Sequence, residues 1–182
     1  METKLEWVLT NSYKKGMTDY MRMHHNDYPE LIKLAIDDKQ PYSWRAAWLL
    51  WSCIEENDEK LRDKVQTIIE VLPDRVYNQQ RELLKILQMM EIDEDNEGLL
   101  FEQCVTLWKD VGNQASVRYN ALKVLAKMAK KYPELTVELS FLTRSQYTKM
   151  LSAGVKNCVS RIMTDVVMSR RRKGYRKDTL HL

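Results

Sequence analysis

The strongest constraint on the fold is an amphipathic segment at residues 113–132, whose pattern recurs in the chain at a nearly constant spacing. Its apolar residues follow one another at steps of three and four, which places them on one stripe of an α-helix. They are Val117, Ala121, Val124, Leu125 and Met128. The positions between them are basic and predict a basic outer face. These are Arg118, Lys123, Lys127 and Lys130.

The segment has counterparts on both sides along the chain. Val117-Arg118 is matched by Val155-Lys156, 38 residues later, and by Trp44-Arg45, 73 residues earlier. The sequence ALKVL at 121–125 is matched by LLKIL at 83–87, 38 residues earlier. A single pair of amphipathic helices cannot bury its apolar face alone. These offsets correspond to a repeat of about 36 to 38 residues, and a repeat of this length predicts helix pairs stacked into an α-solenoid.

The sequence VRYNALKVL, residues 117–125, resembles the second helix of a HEAT repeat. That helix opens with an apolar residue and an arginine, followed by a small residue and two leucine-like positions. Trp44-Arg45-Ala46-Ala47 matches the same pattern, and Gln80-Arg81 matches it in part. The resemblance extends over residues 28–167. It implies an all-α fold, a right-handed α-α superhelix of HEAT or armadillo type with about four helix pairs.

Composition agrees with a helical domain. The chain has five Gly and four Pro, too few for a sheet-rich fold with many tight turns. We predict one domain over residues 1–169 and a basic, flexible tail over residues 170–182. The sequence has no apolar run of about 18 residues that predicts a membrane helix. The N-terminus does not read as a secretory signal, so we predict a cytoplasmic protein without membrane contacts.

Charge is distributed unevenly along the chain. Residues 54–110 carry 7 Lys/Arg and 15 Asp/Glu, whereas residues 111–182 carry 15 and 4, a net charge of +11. A basic surface of this kind can contact phosphates, with an affinity that falls steeply with salt. Nucleic-acid binding through the basic C-terminal half is therefore an alternative hypothesis. The other interpretations are a solvated surface, or pairing of the basic end with the acidic loop of another copy.

Three tryptophans lie on one predicted helix face. Trp44, Trp48 and Trp51 are spaced by four and three residues. Such a stripe is a candidate stacking platform for a base or another planar ligand. The competing interpretation, which we favour, is that the indoles fill the core, because Trp is usually largely buried.

No cluster of residues predicts a metal ion or a cofactor. His24 and His25 are adjacent, so they point about 100° apart on a helix and cannot bind one ion together. The acidic loop at 93–98 matches the first half of an EF-hand, but Cys104 stands where a bidentate glutamate is required. The cysteines are odd in number and have apolar neighbours, which favours buried thiols. They are Cys53, Cys104 and Cys158.

The motifs of common enzyme classes are missing. The sequence has no supported Ser-His-Asp order, no glycine-rich phosphate loop with a lysine and no cysteine pair at zinc spacing. The alkylpurine DNA glycosylases use a HEAT-like stack whose concave basic groove is lined with Trp and an acidic residue. This chain is similar to them in architecture, basic helices and tryptophan stripe. It is shorter and offers no identifiable acidic residue beside the tryptophans, so glycosylase activity is the less favoured alternative.

These observations predict a non-catalytic interaction module, and they indicate no small-molecule substrate. The second helices of stacked pairs form a continuous concave surface suited to an extended partner, which we predict to be a protein. The predicted contacts are exposed basic positions of these helices. They are Arg45, Arg81, Lys85, Arg118, Lys123, Lys127 and Lys156.

Overall fold

A computed structural model describes the backbone of residues 1–178 and the side chains of residues 1–170. Every regular element in that part of the chain is a helix, which confirms the predicted all-α class. The α-helices are α1 (Lys4–Asn11), α2 (Lys14–Met23), α3 (Tyr28–Ile36), α4 (Tyr42–Cys53), α5 (Val65–Val71), α6 (Tyr77–Met89), α7 (Glu94–Lys109), α8 (Ala115–Lys131), α9 (Leu135–Leu142), α10 (Ser145–Thr148) and α11 (Ala153–Asp178). Short 3-10 helices occupy His25–Asp27, Glu59–Lys64 and Leu72–Asp74.

The chain divides into two compact units, unit 1 (Met1–Glu97) and unit 2 (Gly98–Leu182). In unit 1, α4 is central and packs against α1, α2, α3 and α6. In unit 2, α8 packs against α9 and α11. One domain over residues 1–169 stays a prediction.

Several helix ends follow local sequence signals. Thr3 and Glu6 form a capping box at the start of α1, in which each side chain accepts a hydrogen bond from the other residue's backbone N–H. Pro29 lies in the first turn of α3, where its missing N–H leaves no intrahelical bond unmade. Pro133 follows α8, and a proline cannot continue the hydrogen-bonding pattern of that helix.

Ser43 lies inside α4, buried, and its Oγ accepts a 2.8 Å bond from the Lys39 N–H. Gly16 lies inside α2, and the backbone of α11 continues past Gly174. The flexible tail predicted for residues 170–182 falls almost entirely outside the described side chains, and residues 179–182 lie outside the described chain.

The three cysteines are thiols outside disulfide bonds and lie in three different places. Cys104 is fully buried, as predicted, and this burial raises the pKa of its thiol. Cys53 and Cys158 are only half-buried. Burial also raises the pKa of the Cys53 thiol, so this group is held in its neutral form.

Candidate interaction surface on the second helices

Arg118, which was predicted to be an exposed contact residue, is buried with 1% of its surface exposed. Its Nε donates a 3.0 Å bond to the Trp108 carbonyl, and its Nη2 donates to the Tyr147 carbonyl. The guanidinium lies 4.9 Å from the centre of the Trp108 ring. Burial lowers the pKa of Arg118, although an arginine stays charged in proteins. The prediction of an exposed Arg118 is therefore wrong, because free carbonyls of neighbouring helices take up its donors.

Arg118 belongs to a series of donors with the same position and the same role. Arg45, Gln80, Arg118 and Lys156 are each the fourth residue of their helix, in α4, α6, α8 and α11. The last four carbonyls of a helix have no partner within it, and this end carries partial negative charge. Each side chain in the series donates to carbonyls at or just beyond such an end. The repeat spacing found in the sequence is therefore the spacing between successive donors of this hydrogen bond.

The other members of the series differ in how they reach their acceptors. Arg45 donates to the Leu9 carbonyl and, at 3.4 Å, to that of Ser12, both at the end of α1. Gln80 donates to the Leu72 and Pro73 carbonyls at 3.1 and 3.2 Å. Arg45 is therefore half-buried and hydrogen-bonded within the chain, and the prediction of an exposed contact residue is wrong for it.

Lys156 shows that the series continues in the last helix. Its Nζ donates a 3.0 Å bond to the carbonyl of Lys149, the residue after α10. The side chain is nevertheless exposed, in contrast to Arg118. Lys156 therefore meets the predicted exposure, but its ammonium group is already bound to the chain.

Lys123 and Lys127 lie one turn apart on the exposed side of α8, as predicted. The Lys123 ammonium lies 5.9 Å from the centre of the Tyr119 ring. Of the seven predicted contact residues, Lys123, Lys127 and Lys156 are exposed. Their role in binding stays a prediction.

Arg81 and Lys85 in α6 bind one buried carboxylate. Glu82 has 1% of its side chain exposed, and its two oxygens accept 2.7 Å from Arg81 Nε and 2.8 Å from Lys85 Nζ. The Arg81 and Lys85 side chains keep 27% and 23% of their surface exposed. Two cations around one buried anion leave a local charge of +1.

Trp44, Trp48 and Trp51 form, with cations around them, what we call the tryptophan face of unit 1. The indoles are not fully buried, and 37% of Trp51 is exposed, so the core interpretation is wrong for Trp51. Arg45 lies 5.2 Å from the Trp44 ring centre, Lys14 5.4 Å from that of Trp48, and Lys85 4.3 Å from that of Trp51. Attraction between a cation and an aromatic face is favourable at such distances.

The sequence analysis did not identify Glu82, a buried acidic residue on α6, which packs against α4. It is linked to Trp51 through Lys85, which contacts both groups. Its place three residues before Lys85 was a signal for an ion pair along the helix. The sequence did not predict the burial of Glu82. Acidic residues are almost never fully buried unless they are paired, so an exposed side chain is the usual expectation.

Unit 1 also has a groove lined by residues of both charges. Two adjoining cavities of about 840 and 470 Å³ share His25, Tyr28 and Lys60 in their walls. The Tyr28 hydroxyl donates a 2.8 Å bond to Asp58, and burial together with this bond raises the pKa of Tyr28. The lining mixes acidic and basic side chains and has no dominant charge.

Neither a metal centre nor a spanning helix is present in the described part of the chain. No group of three or more His, Cys, Asp or Glu side chains there could hold a metal ion. The helices of the described residues are all too short or too polar to cross a bilayer.

The structure and its series of fourth-position donors define a protein built from helical repeats. Comparison with protein families gives a match to the HEAT repeat domain over residues 1–166. The chain therefore belongs to the HEAT repeat domain family. No curated protein and no solved structure matched the chain.

Proposed function

We propose that this chain is a non-catalytic interaction module that binds a protein partner through the exposed sides of its second helices. The observation that supports this most directly is the tryptophan face, where half-exposed indoles lie beside lysines from two neighbouring helices. Trp is enriched among the residues that dominate binding energy in protein interfaces. Helical repeats also offer an extended surface to an extended partner.

A catalytic role for the tryptophan face finds little support in its chemistry. Glu82 is the acidic residue linked to the tryptophans, and both of its oxygens are bound by cations. It is also buried, so its carboxylate does not face a substrate. A general base must come within hydrogen-bond reach of the reacting group. We therefore propose binding without catalysis, and we place the module in the cytoplasm, where unpaired thiols are stable.

Site-specific photo-crosslinking in living cells tests the proposed surface. A photoreactive amino acid replaces Gln88 in α6, one turn beyond Lys85, and in a matched variant replaces Gln66 in α5, a first helix. We expect a discrete protein adduct from position 88 and none from position 66. Equal adducts from both positions, or none from either, would contradict the proposal.

A second candidate function, nucleic-acid binding, is favoured by the charge of unit 2. Residues 98–182 carry 16 Lys/Arg and 6 Asp/Glu, a net charge of +10. Lys123 and Lys127 are exposed on one side of α8. Phosphate contacts from such a surface give affinity that is independent of base sequence.

A further inference from the structure

We propose that the tryptophan face binds an extended acidic peptide in which two carboxylates flank an apolar residue. The inference rests on the proposed function, binding of a protein partner, and specifies the chemistry of that partner. It follows from the cations that lie over the indoles, from the local charge and from the presence of two separate lysines.

The indole faces already have cationic partners. Lys14 from α2 lies over Trp48, and Lys85 from α6 lies over Trp51. A nucleic-acid base would have to displace these ammonium groups to stack there, and it would lose the cation–aromatic attraction. A carboxylate can bind an ammonium group where it is, while an apolar side chain contacts the exposed part of an indole. The arrangement therefore favours an acidic and apolar ligand over a planar one.

The face is locally positive although unit 1 is acidic overall. Unit 1 carries 13 Lys/Arg and 20 Asp/Glu, a net charge of −7. At the face, Arg81 and Lys85 outnumber the buried Glu82 by one charge, and Lys14 adds another. Asp19, the acidic residue of α2, is paired with Arg22 at 3.3 Å. A negative ligand is therefore attracted to this part of unit 1 and repelled by much of the rest, which gives specificity.

Two separate lysines call for two carboxylates in the ligand. Lys14 from α2 lies 5.4 Å from the ring centre of Trp48, and Lys85 from α6 lies 4.3 Å from that of Trp51. An extended peptide rises about 3.3 Å per residue, so acidic residues four positions apart are separated by about 13 Å and leave room for an apolar residue midway between them. Such a peptide presents one carboxylate to each lysine and an apolar side chain to the indoles.

The test uses the indole N–H signals of the full-length, ¹⁵N-labelled chain in two-dimensional NMR spectra. The chain has five tryptophans, and substitution of each by Phe assigns its signal. The probe is acetyl-Glu-Ser-Leu-Ser-Glu-amide, with the matched Lys-Ser-Leu-Ser-Lys peptide and oligothymidylate as comparisons. We expect the acidic peptide to shift the Trp48 and Trp51 signals and to leave those of Trp7 and Trp108 unchanged.

Variants then identify the cations. Lys14→Gln and Lys85→Gln should each weaken binding of the acidic peptide about fivefold, the effect of one exposed charge pair. Lys15→Gln, which removes the same charge one residue further along α2, should leave the binding of the acidic peptide unchanged. Lys85→Gln also disturbs the partner of Glu82, so circular dichroism checks its folding, and Lys14→Gln carries the conclusion if that variant unfolds.

Three results would overturn the inference: no shift at Trp48 and Trp51, equal shifts with the basic peptide, or stronger shifts with oligothymidylate. If one of these NMR results is found but crosslinking gives a discrete adduct from position 88, only the acidic ligand is refuted and the proposed protein binding is not. No adduct from position 88 and no peptide response would remove both.

Discussion

At the residue scale, Arg118 is a charged side chain that acts as a structural bridge. Its guanidinium has several donors in a rigid plane and is more weakly hydrated than an ammonium group, which makes its burial less unfavourable. The carbonyls of Trp108 and Tyr147 accept from it, and the Trp108 ring lies beside it. Loss of these donors would leave carbonyls unpaired near the core of unit 2.

We predict that Arg118→Ala lowers the free energy of unfolding by about 3 kcal/mol, because removing a buried charged donor leaves its acceptors unsatisfied. Arg118→Lys should recover only part of this loss, since an ammonium group lacks the planar fork. Urea unfolding measures the free energy of unfolding of both variants. Lys109→Ala, an exposed change on α7, should stay within about 0.5 kcal/mol of the parent. An Arg118→Ala loss as small as that control would show that the bridge is unimportant.

Glu6 combines a helix cap with an ion pair. It is buried, it closes the capping box with Thr3, and its Oε1 accepts from Lys39 Nζ. The bond from Lys39 lowers the pKa of Glu6 below its ordinary value of 4.5, an effect that burial partly offsets. Because the folded state favours the ionised form, this group adds stability above pH 4.5, and the contribution is lost as pH falls below it.

We predict that Glu6→Gln lowers the free energy of unfolding by about 1 kcal/mol at pH 7, a typical value for loss of a cap interaction. The difference between parent and variant should shrink as the pH falls from 5 towards 3, because the parent's Glu6 is then neutral as well. Urea unfolding at several pH values measures it. A difference that stays constant with pH would show that the charge of Glu6 is not involved.

At the element scale, the second helices α4, α6, α8 and α11 are each joined to another helix by the same kind of hydrogen bond. Arg45, Gln80, Arg118 and Lys156 occupy the fourth position of their helices and donate to carbonyls at or beyond the ends of others. The side chain varies in length and charge, while its position and acceptor type persist. Gln80 is neutral and still takes the role, so hydrogen bonding to the open helix end is the shared requirement.

We predict that Gln80→Ala lowers the free energy of unfolding by about 1–2 kcal/mol, because the Leu72 and Pro73 carbonyls then lose their donor. Asn78→Ala changes an exposed polar residue in the same turn and serves as the control. Thermal unfolding followed by circular dichroism distinguishes the two variants. Equal effects would mean that helix propensity, and not the bond, sets the outcome.

At the scale of the whole molecule, a net charge of +3 conceals two units of opposite sign. Unit 1 carries −7 and unit 2 carries +10. Fields of this size steer charged partners before contact and depend on ionic strength. Unit 2 therefore attracts a polyanion, whereas unit 1 as a whole repels one, and the acidic segment proposed above would be attracted only by the local positive charge of the tryptophan face.

If unit 2 binds nucleic acid, the double variant Lys123→Glu/Lys127→Glu should weaken binding to every sequence equally and flatten its salt dependence. Fluorescence anisotropy with labelled single- and double-stranded DNA and RNA at two salt concentrations measures this. The control is Lys33→Glu/Lys64→Glu, with the same charge change in unit 1. Absence of binding by the parent chain would exclude this function, and an equal effect of both variants would indicate net charge alone.

The candidate surface was predictable only in part. The stripe of Trp44, Trp48 and Trp51 was visible in the sequence because helical spacing alone brings these positions to one face. The cations over their rings were not visible, since Lys14 and Lys85 come from other helices. Gln80-Arg81 was recognised as a partial match to the repeat with Arg81 in the arginine position, whereas in the structure Gln80 holds the fourth position and donates to the end of another helix.

The sequence by itself determined the helices and their repetition, because apolar spacing and proline positions act over a few residues. The tertiary structure alone decided the fate of the charged side chains. Whether Arg118 faces water or a carbonyl depends on Trp108 near the end of α7, 10 residues earlier, and on Tyr147, 29 residues later. Glu82 finds its partners Arg81 and Lys85 on its own helix, but its burial depends on the packing of α6 against α4. Local periodicity can place partners beside a polar group, whereas packing decides whether the group is buried with them.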